Sequence, residues 1–356
     1  MKEQYEALLA LTRLGIGHTG TFLPINIDWD NVKKLAEEQG VSAVMLDGIE
    51  RMPNNCRPRQ CFLLNWIGEV LQAYEQRYNL YTQAIAELSG WYNSHGFKMM
   101  VLKGYACSLD WPKPNHRPCG DIDIWLFGKW EESDRALSSE KGIKIDRTHH
   151  HHTVFSWKEF TVENHYDFLN IHHHKSNVEL NSILKRLGKD DSNTVIVKGE
   201  KVFLPSANMN ALFLLRHNMK HFASERLTMR QLLDWGFFVR NHSDEIDWKW
   251  LEEELERFGM KRLYDVFNAI CVGDIGFDGS LFPKVQFDPS LKDRVLHEIL
   301  EPEFAGQIPK GLFRRAVFKY HRWKSNSWKH ELCYKDTMWS AFWSGLWSHI
   351  LKPTTI

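Results

Sequence analysis

The sequence predicts an α+β protein in which a small α/β segment, about residues 95–204, lies between helical regions. Three patterns lead there. Apolar residues before residue 95 and after residue 205 recur at three- and four-residue intervals, the spacing of one helix face. Residues 121–127 (DIDIWLF) alternate acidic and apolar side chains with the period of a strand. The short apolar run 98–102 (KMMVL) ends in Lys103-Gly104 ahead of a segment able to start a helix, a strand-turn-helix unit.

Taken in order, residues 29–39 follow Asp28, a suitable N-cap, and stop at Gly40, while residues 62–92 carry a long helical stripe. Residues 111–120 (WPKPNHRPCG) hold too many prolines for regular structure and form a loop that empties into the acidic strand. Residues 131–141 read as a helix, and 144–168 contain the alternating segments VFSW and FTVENHY of a hairpin. Pro205 opens the second helical region, with apolar stripes over 208–222, 228–241, 248–258 and 261–271. The domain boundaries expected are therefore 1–94, 95–204, 205–305 and a tail of 306–356.

With 356 residues, 43% of them hydrophobic and 25% charged, the chain is long and apolar enough for its own core without disulfide or metal staples. Lys and Arg number 45, as do Asp and Glu, which argues against a uniformly basic nucleic-acid binder. The cysteines Cys56, Cys61, Cys107, Cys119, Cys271 and Cys333 form no CxxC pair, so reduced thiols are expected. The first 20 residues lack the apolar core and cleavage site of a signal peptide, and no run approaches the roughly 20 apolar residues of a transmembrane helix. A cytoplasmic protein is expected.

Asp121 and Asp123, at i and i+2 on a strand, share one face with α-carbons about 6.5–7 Å apart, and both can reach one hard cation. The plainer alternative is a solvated edge-strand face. The Lys103-Gly104 turn before them offers backbone N–H groups and a cationic side chain to an anion, and Glu163 adds an acid on a later strand. Phosphate together with a metal ion is the natural combination.

The segment LKGYACSLDWPKPNHRPCGDIDIWL resembles the signature of the bacterial nucleotidyltransferase family usually labelled uncharacterised, a branch of the DNA polymerase beta-like superfamily. The resemblance spans about residues 26–275. It is carried in order by Leu102-Lys103-Gly104, Arg117, Asp121 and Asp123, Glu163 with His165, His217 and His221, and Arg230 with Asp234-Trp235. It implies a small mixed-sheet core on which three carboxylates hold two Mg²⁺ (or Mn²⁺) ions. It also implies transfer of a nucleoside monophosphate from an NTP to a hydroxyl acceptor, with release of pyrophosphate. Asp121, Asp123 and Glu163 would then be the catalytic metal ligands, with Glu179 a rival for the third. Lys103, Gly104, Arg117, His217, His221 and Arg230 would meet the nucleotide or its phosphates. The superfamily's usual Gly-Ser turn is replaced here by Lys103-Gly104, which puts triphosphate binding in its usual form in question. The alternatives are a catalytically silent nucleotide- or partner-binding protein with the same fold, and a hydrolase or phosphotransferase using the same metals.

Two histidine runs, residues 149–152 and 172–174, remain. Consecutive imidazoles on a strand alternate faces, and no Cys or carboxylate is arranged around them, which argues against a dedicated zinc or nickel site. Exposed loop positions are the plain expectation, with His150 or His152 lining the cleft opposite Glu163 as the functional one. His217 and His221 share a helix face, as do Arg230 and Asp234, which suits either interhelix packing or contact with nucleotide. The tail 306–356 carries nine Lys or Arg against two acids, a local charge of +7, and Trp339, Trp343 and Trp347 recur every four residues. Either the Trp stripe docks on the body, or the tail meets an anionic partner, a lipid surface or RNA.

Overall fold

Alternation along one strand sets the two faces of the sheet. In β2 (Ile122–Trp125), Ile122 and Ile124 enter the main apolar cluster with Tyr81, Ile85, Leu88 and Tyr92 of the helix Arg77–Ser94. Asp123 and Trp125 therefore project from the other face. The computed structural model describes residues 2–18, 21, 23–24, 26–172, 174–224, 226–304, 311–340 and 343. Among these the sheet has six strands in the order β3-β4-β2-β1-β6-β5, with β1 at Met100–Val101, β3 at His152–Trp157, β4 at Phe160–His165, β5 at Thr194–Val197 and β6 at Glu200–Phe203. The pairs β1·β6 and β2·β4 are parallel, and β1·β2, β3·β4 and β5·β6 antiparallel, so the sheet is mixed and the α+β class holds.

Register matters most at β2 and β4, where Asp123 lies directly opposite Glu163 and Trp125 opposite His165. Across the β3-β4 hairpin, His152 pairs with His165 and Phe155 with Val162. Phe155, Phe160 and Val162 fill the apolar face, so Glu163, His165 and His152 share the opposite face with Asp123. Buried Asn164 donates to Asp134 Oδ1 at 2.9 Å, tying β4 to the helix Trp130–Lys141.

Sequence periodicity located the acidic strand, the hairpin and the long helices. It passed over the β5-β6 hairpin, where Lys198 and Gly199 both take positive φ (47° and 93°), the backbone of a type I′ turn. The proline-rich loop keeps one short 3-10 turn, Pro114–His116.

The chain divides into two compact units, Gln60–Phe213 with Trp339–Ile356, and Met1–Arg59 with Leu214–Met338. The first contains the sheet. The second is helical and draws on both ends of the sequence, including Glu3–Gly15, Trp29–Gln39, Ser42–Glu50, Met229–His242, Trp248–Arg257 and Lys261–Ile270. Its first and third helices cross at two glycines: a Cβ on Gly15 would lie 2.1 Å from the Val44 carbonyl oxygen, and one on Gly48 2.2 Å from that of Leu11. Asp28 caps its helix by accepting from the Asn31 N–H at 3.2 Å, and Gly40 ends it with φ 67°.

Of the aromatic tail, Trp328 packs edge-on against Phe222 at 5.6 Å, whereas Trp339 and Trp343 are 62% and 54% exposed. Among its cations, Lys329 is buried in an ion pair with Glu298 and Arg322 donates to the Ser224 carbonyl. Trp347, Lys310 and Lys352 lie outside the described residues, as does His173.

Candidate active site

Three elements converge on the polar face of the sheet. The Lys103–Ser108 helix begins directly after β1, and the Lys103 ammonium lies 2.7 Å from Asp123 Oδ1 with both side chains largely buried. Lys103 holds φ 35°, a left-handed conformation that costs a non-glycine residue about 1–2 kcal/mol and persists where the surroundings enforce it. Its neighbour Gly104 admits no side chain, because a Cβ there would stand 2.6 Å from the Tyr81 hydroxyl. That hydroxyl donates to the Asp121 carbonyl at 2.8 Å and fixes the start of β2.

His165 closes the site from β4. Its Nδ1 faces the Asp167 carbonyl at 3.2 Å, which can only accept, so this nitrogen carries the proton. Its Nε2 lies 3.0 Å from Asp123 Oδ1 and 3.6 Å from Glu163 Oε2. Both are acceptors, so a proton or a metal cation must stand between them and Nε2. One donor atom from each of Asp123, Glu163 and His165 falls within 4.8 Å of the others. His152 Nδ1 lies 3.8 Å from Glu163 Oε2 on the far side.

Electrostatics follow from this crowding. Burial alone would raise the pKa of Asp123, but the Lys103 ammonium and the hydrogen bond from His165 hold it below the usual carboxylate range. Glu163 is held low in the same way, burial being outweighed by His165 and Lys103. Burial would lower His165, yet its bonds to Asp123 and Glu163 raise it. For His152 burial wins, and the imidazole is pushed down to about 4. Asp121 remains accessible at the mouth of the strand, where lost solvation and then the charge of Asp123 push its pKa up.

The donor set suits a divalent cation. Asp123 and Glu163 stay ionised, Asp121 lies just before the strand within reach of the charges of Asp123, Glu163 and Lys103, and the Lys103 ammonium already serves Asp123 as a counter-cation. Of the residues singled out from sequence, Lys103, Gly104, Asp121, Asp123 and Glu163 come together here. Arg117 is buried in the preceding loop, its Nη1 donating to the Pro118 carbonyl at 3.1 Å. Glu179 is exposed on the helix Lys175–Leu187, away from strand register with Asp123. His217 and His221, with Nε2 atoms 3.0 Å apart, and Arg230 belong to the helical unit. Among the described residues no set of three close metal-ligand side chains includes either of those two histidines.

His165, named from the sequence only beside Glu163, stands in the same close group as Asp123 and Glu163. The signal was available in the spacing of Glu163 and His165, which repeats the i, i+2 pattern of Asp121 and Asp123. Beyond β2 and β4, Trp125, Phe127, Trp130 and Tyr166 line a cavity of about 280 Å³ with Lys185 and Lys189.

A family model described as uncharacterised nucleotidyltransferase matches residues 26–271, more than half of the chain. The chain belongs to that nucleotidyltransferase family. No curated protein matches it. Among solved structures, an antigenic nucleotidyltransferase-like protein from Paracoccidioides brasiliensis is similar over 56% of this chain and 95% of its own, at 14% identity and a TM-score of 0.34.

Proposed function

We propose that the chain is a metal-dependent nucleotidyltransferase that moves a nucleoside monophosphate from an NTP to a hydroxyl acceptor and releases pyrophosphate. One observation carries this reading: Asp123 and Glu163 stand directly opposite each other on adjacent parallel strands, both held ionised, with Lys103 on their shared face. Asp121, Asp123 and Glu163 would hold Mg²⁺ or Mn²⁺. When bound, the metal would supply charge neutralisation at the triphosphate and a lowered pKa for the acceptor hydroxyl.

The chain's own residues do the rest. Asp123 and Glu163 stay ionised at neutral pH and so keep their lone pairs available. Lys103 balances the negative charge that gathers as the acceptor oxygen bonds to the α-phosphorus and the bond to the β-phosphate oxygen breaks. The acceptor's proton would leave to solvent, because burial pushes His152 down to about 4 and keeps it neutral beside Glu163, 3.8 Å from its Nδ1. The alternative of a silent binding protein draws on the same Lys103–Asp123 ion pair, since an ammonium held on a would-be metal ligand is itself a resting counter-ion.

Incubation of the purified chain and cell extract with α-labelled or γ-labelled NTPs and Mg²⁺ or Mn²⁺ tests the proposal. Label reaching the acceptor from the α position only, with pyrophosphate released, is expected. Label from the γ position would assign a phosphotransferase instead, and nucleotide binding without any label transfer would favour the silent reading.

A further inference from the structure

The first histidine run does not end on its own strand. His152, the first residue of β3, is in register with His165, the last of β4, so their imidazoles share a face. His151 is pinned beside them because its carbonyl accepts from the N–H groups of both Tyr166 and Asp167, at 3.1 and 3.0 Å. The ring centroids of His151, His152 and His165 are mutually 4.3–5.8 Å apart, and one nitrogen from each falls within 4.8 Å of the others. His152 is 6% exposed, and its buried Nδ1 has no hydrogen bond but points toward the Glu163 carboxylate. A buried imidazole nitrogen left without a hydrogen bond is costly unless something else occupies its lone pair.

We propose that His151, His152 and His165 form a binding site for a borderline divalent transition cation of the zinc class, with Glu163 alongside as the acidic fourth donor. The donor chemistry selects the ion. Three imidazoles and one carboxylate match the ligands Zn²⁺ takes at about 2.0–2.2 Å in tetrahedral sites, whereas Mg²⁺ prefers an all-oxygen octahedron. Tetrahedral closure brings neighbouring donors to about 3.4 Å, an adjustment of side-chain rotamers. The Asp167 carbonyl on His165 Nδ1 is the outer partner that orients a ligating imidazole and leaves Nε2 to coordinate. The run HHHH supplies two of the ligands, and the strand pairing supplies the third. This site does not depend on nucleotide transfer. Because it uses His165 and Glu163, a zinc-class ion bound there withdraws both from the carboxylate site.

Calorimetric titration of the chelator-stripped, untagged full chain with ZnSO₄, and separately with MgCl₂, tests it. One equivalent of Zn²⁺ is expected to bind, and to remain bound, though more weakly, in excess Mg²⁺, which draws on the same Glu163. His152→Ala should weaken it by more than the roughly 10–100-fold that loss of an outer-shell partner costs. His172→Ala, a change in the second run, should leave it as it is. If His152→Ala does not fold by circular dichroism, His152→Gln carries the same expectation. Cobalt substitution adds an independent reading: intense visible bands of a tetrahedral nitrogen-rich site support the assignment. A weak octahedral spectrum, no Zn²⁺ binding, or Zn²⁺ affinity unchanged in the His152 variant would overturn it.

Discussion

Gly104 shows how a single atom shapes the site. The nearest obstacle to a Cβ there is the Tyr81 hydroxyl at 2.6 Å, with the Asp121 carbonyl next at 3.5 Å. Gly104→Ala should therefore cost about 1–3 kcal/mol through overpacking, and Tyr81→Phe about 1 kcal/mol through its lost hydrogen bond. Combined, they should cost less than their sum, because the phenylalanine removes the atom that clashes. Urea denaturation of the three variants checks this, and strict additivity would contradict it. Lys103→Gly should relax the φ 35° backbone while removing the counter-cation of Asp123. Loss of turnover without comparable loss of melting temperature is the expected pattern. The two buried histidines set opposed pH dependences in the metal-free protein. The pKa of His165 is raised above 6.5, so its contribution to stability is complete below 6.5 and is lost as pH rises through the raised value. That of His152 falls from 6.5 to about 4, so its neutral form's contribution is lost as pH falls across that interval. Together they place the stability maximum near pH 6.5, with His165→Asn flattening the alkaline limb; melting temperatures from pH 4 to 9 check it, and a steady rise through pH 9 would contradict it. At this scale the sequence showed which residues carry charge: spacing put Asp121 and Asp123 on one strand, while Glu163 was singled out over Glu179 through the family resemblance. That Lys103 would turn its ammonium onto Asp123, and not outward, depends on the backbone at residue 103, which spacing does not encode.

Elements were legible where burial imposes a period. The β2 strand alternates acidic and apolar residues and the helices of the second half carry apolar stripes, and the burial they signal extends in the fold to all of β2 and most of Met229–His242 and Lys261–Ile270. The β5-β6 hairpin was not found because its alternation is short and β5 keeps largely exposed residues, leaving the Lys198-Gly199 turn as its main signal. The histidine run shows a related limit of the linear pattern. Considered as one strand it offers at most two imidazoles per side, whereas cross-strand pairing joins His152 to His165. A more local rule holds at Met229–His242, where the Thr228 and Gln231 side chains form a reciprocal capping box. Thr228→Ala should lower stability by about 1 kcal/mol, and Thr228→Ser should restore most of it; equal melting temperatures for wild type and the alanine variant would contradict the cap's role.

At the scale of the whole molecule, the helical unit is assembled from residues more than 200 positions apart, and this could not be read from the linear pattern. Gln39, fully buried, donates to the Ile299 carbonyl at 2.9 Å and accepts from the Met229 N–H at 2.9 Å. Gln39→Ala strands both backbone groups and should cost about 1–3 kcal/mol, seen as a lowered unfolding midpoint. Net charge also looks different at this scale. The basic tail is partly neutralised within the fold, Lys329 by Glu298, so the +7 of residues 306–356 overstates what an anionic partner would meet. The central claim concerns the sheet, namely that Asp123 and Glu163 form one catalytic carboxylate pair. Its most direct test is metal-dependent incorporation of α-label by wild type, Asp123→Asn, Glu163→Gln and Glu179→Gln, each verified as folded. Loss in the Asp123 and Glu163 variants with retention in Glu179→Gln is the predicted result; retention in Glu163→Gln with loss in Glu179→Gln would contradict the account.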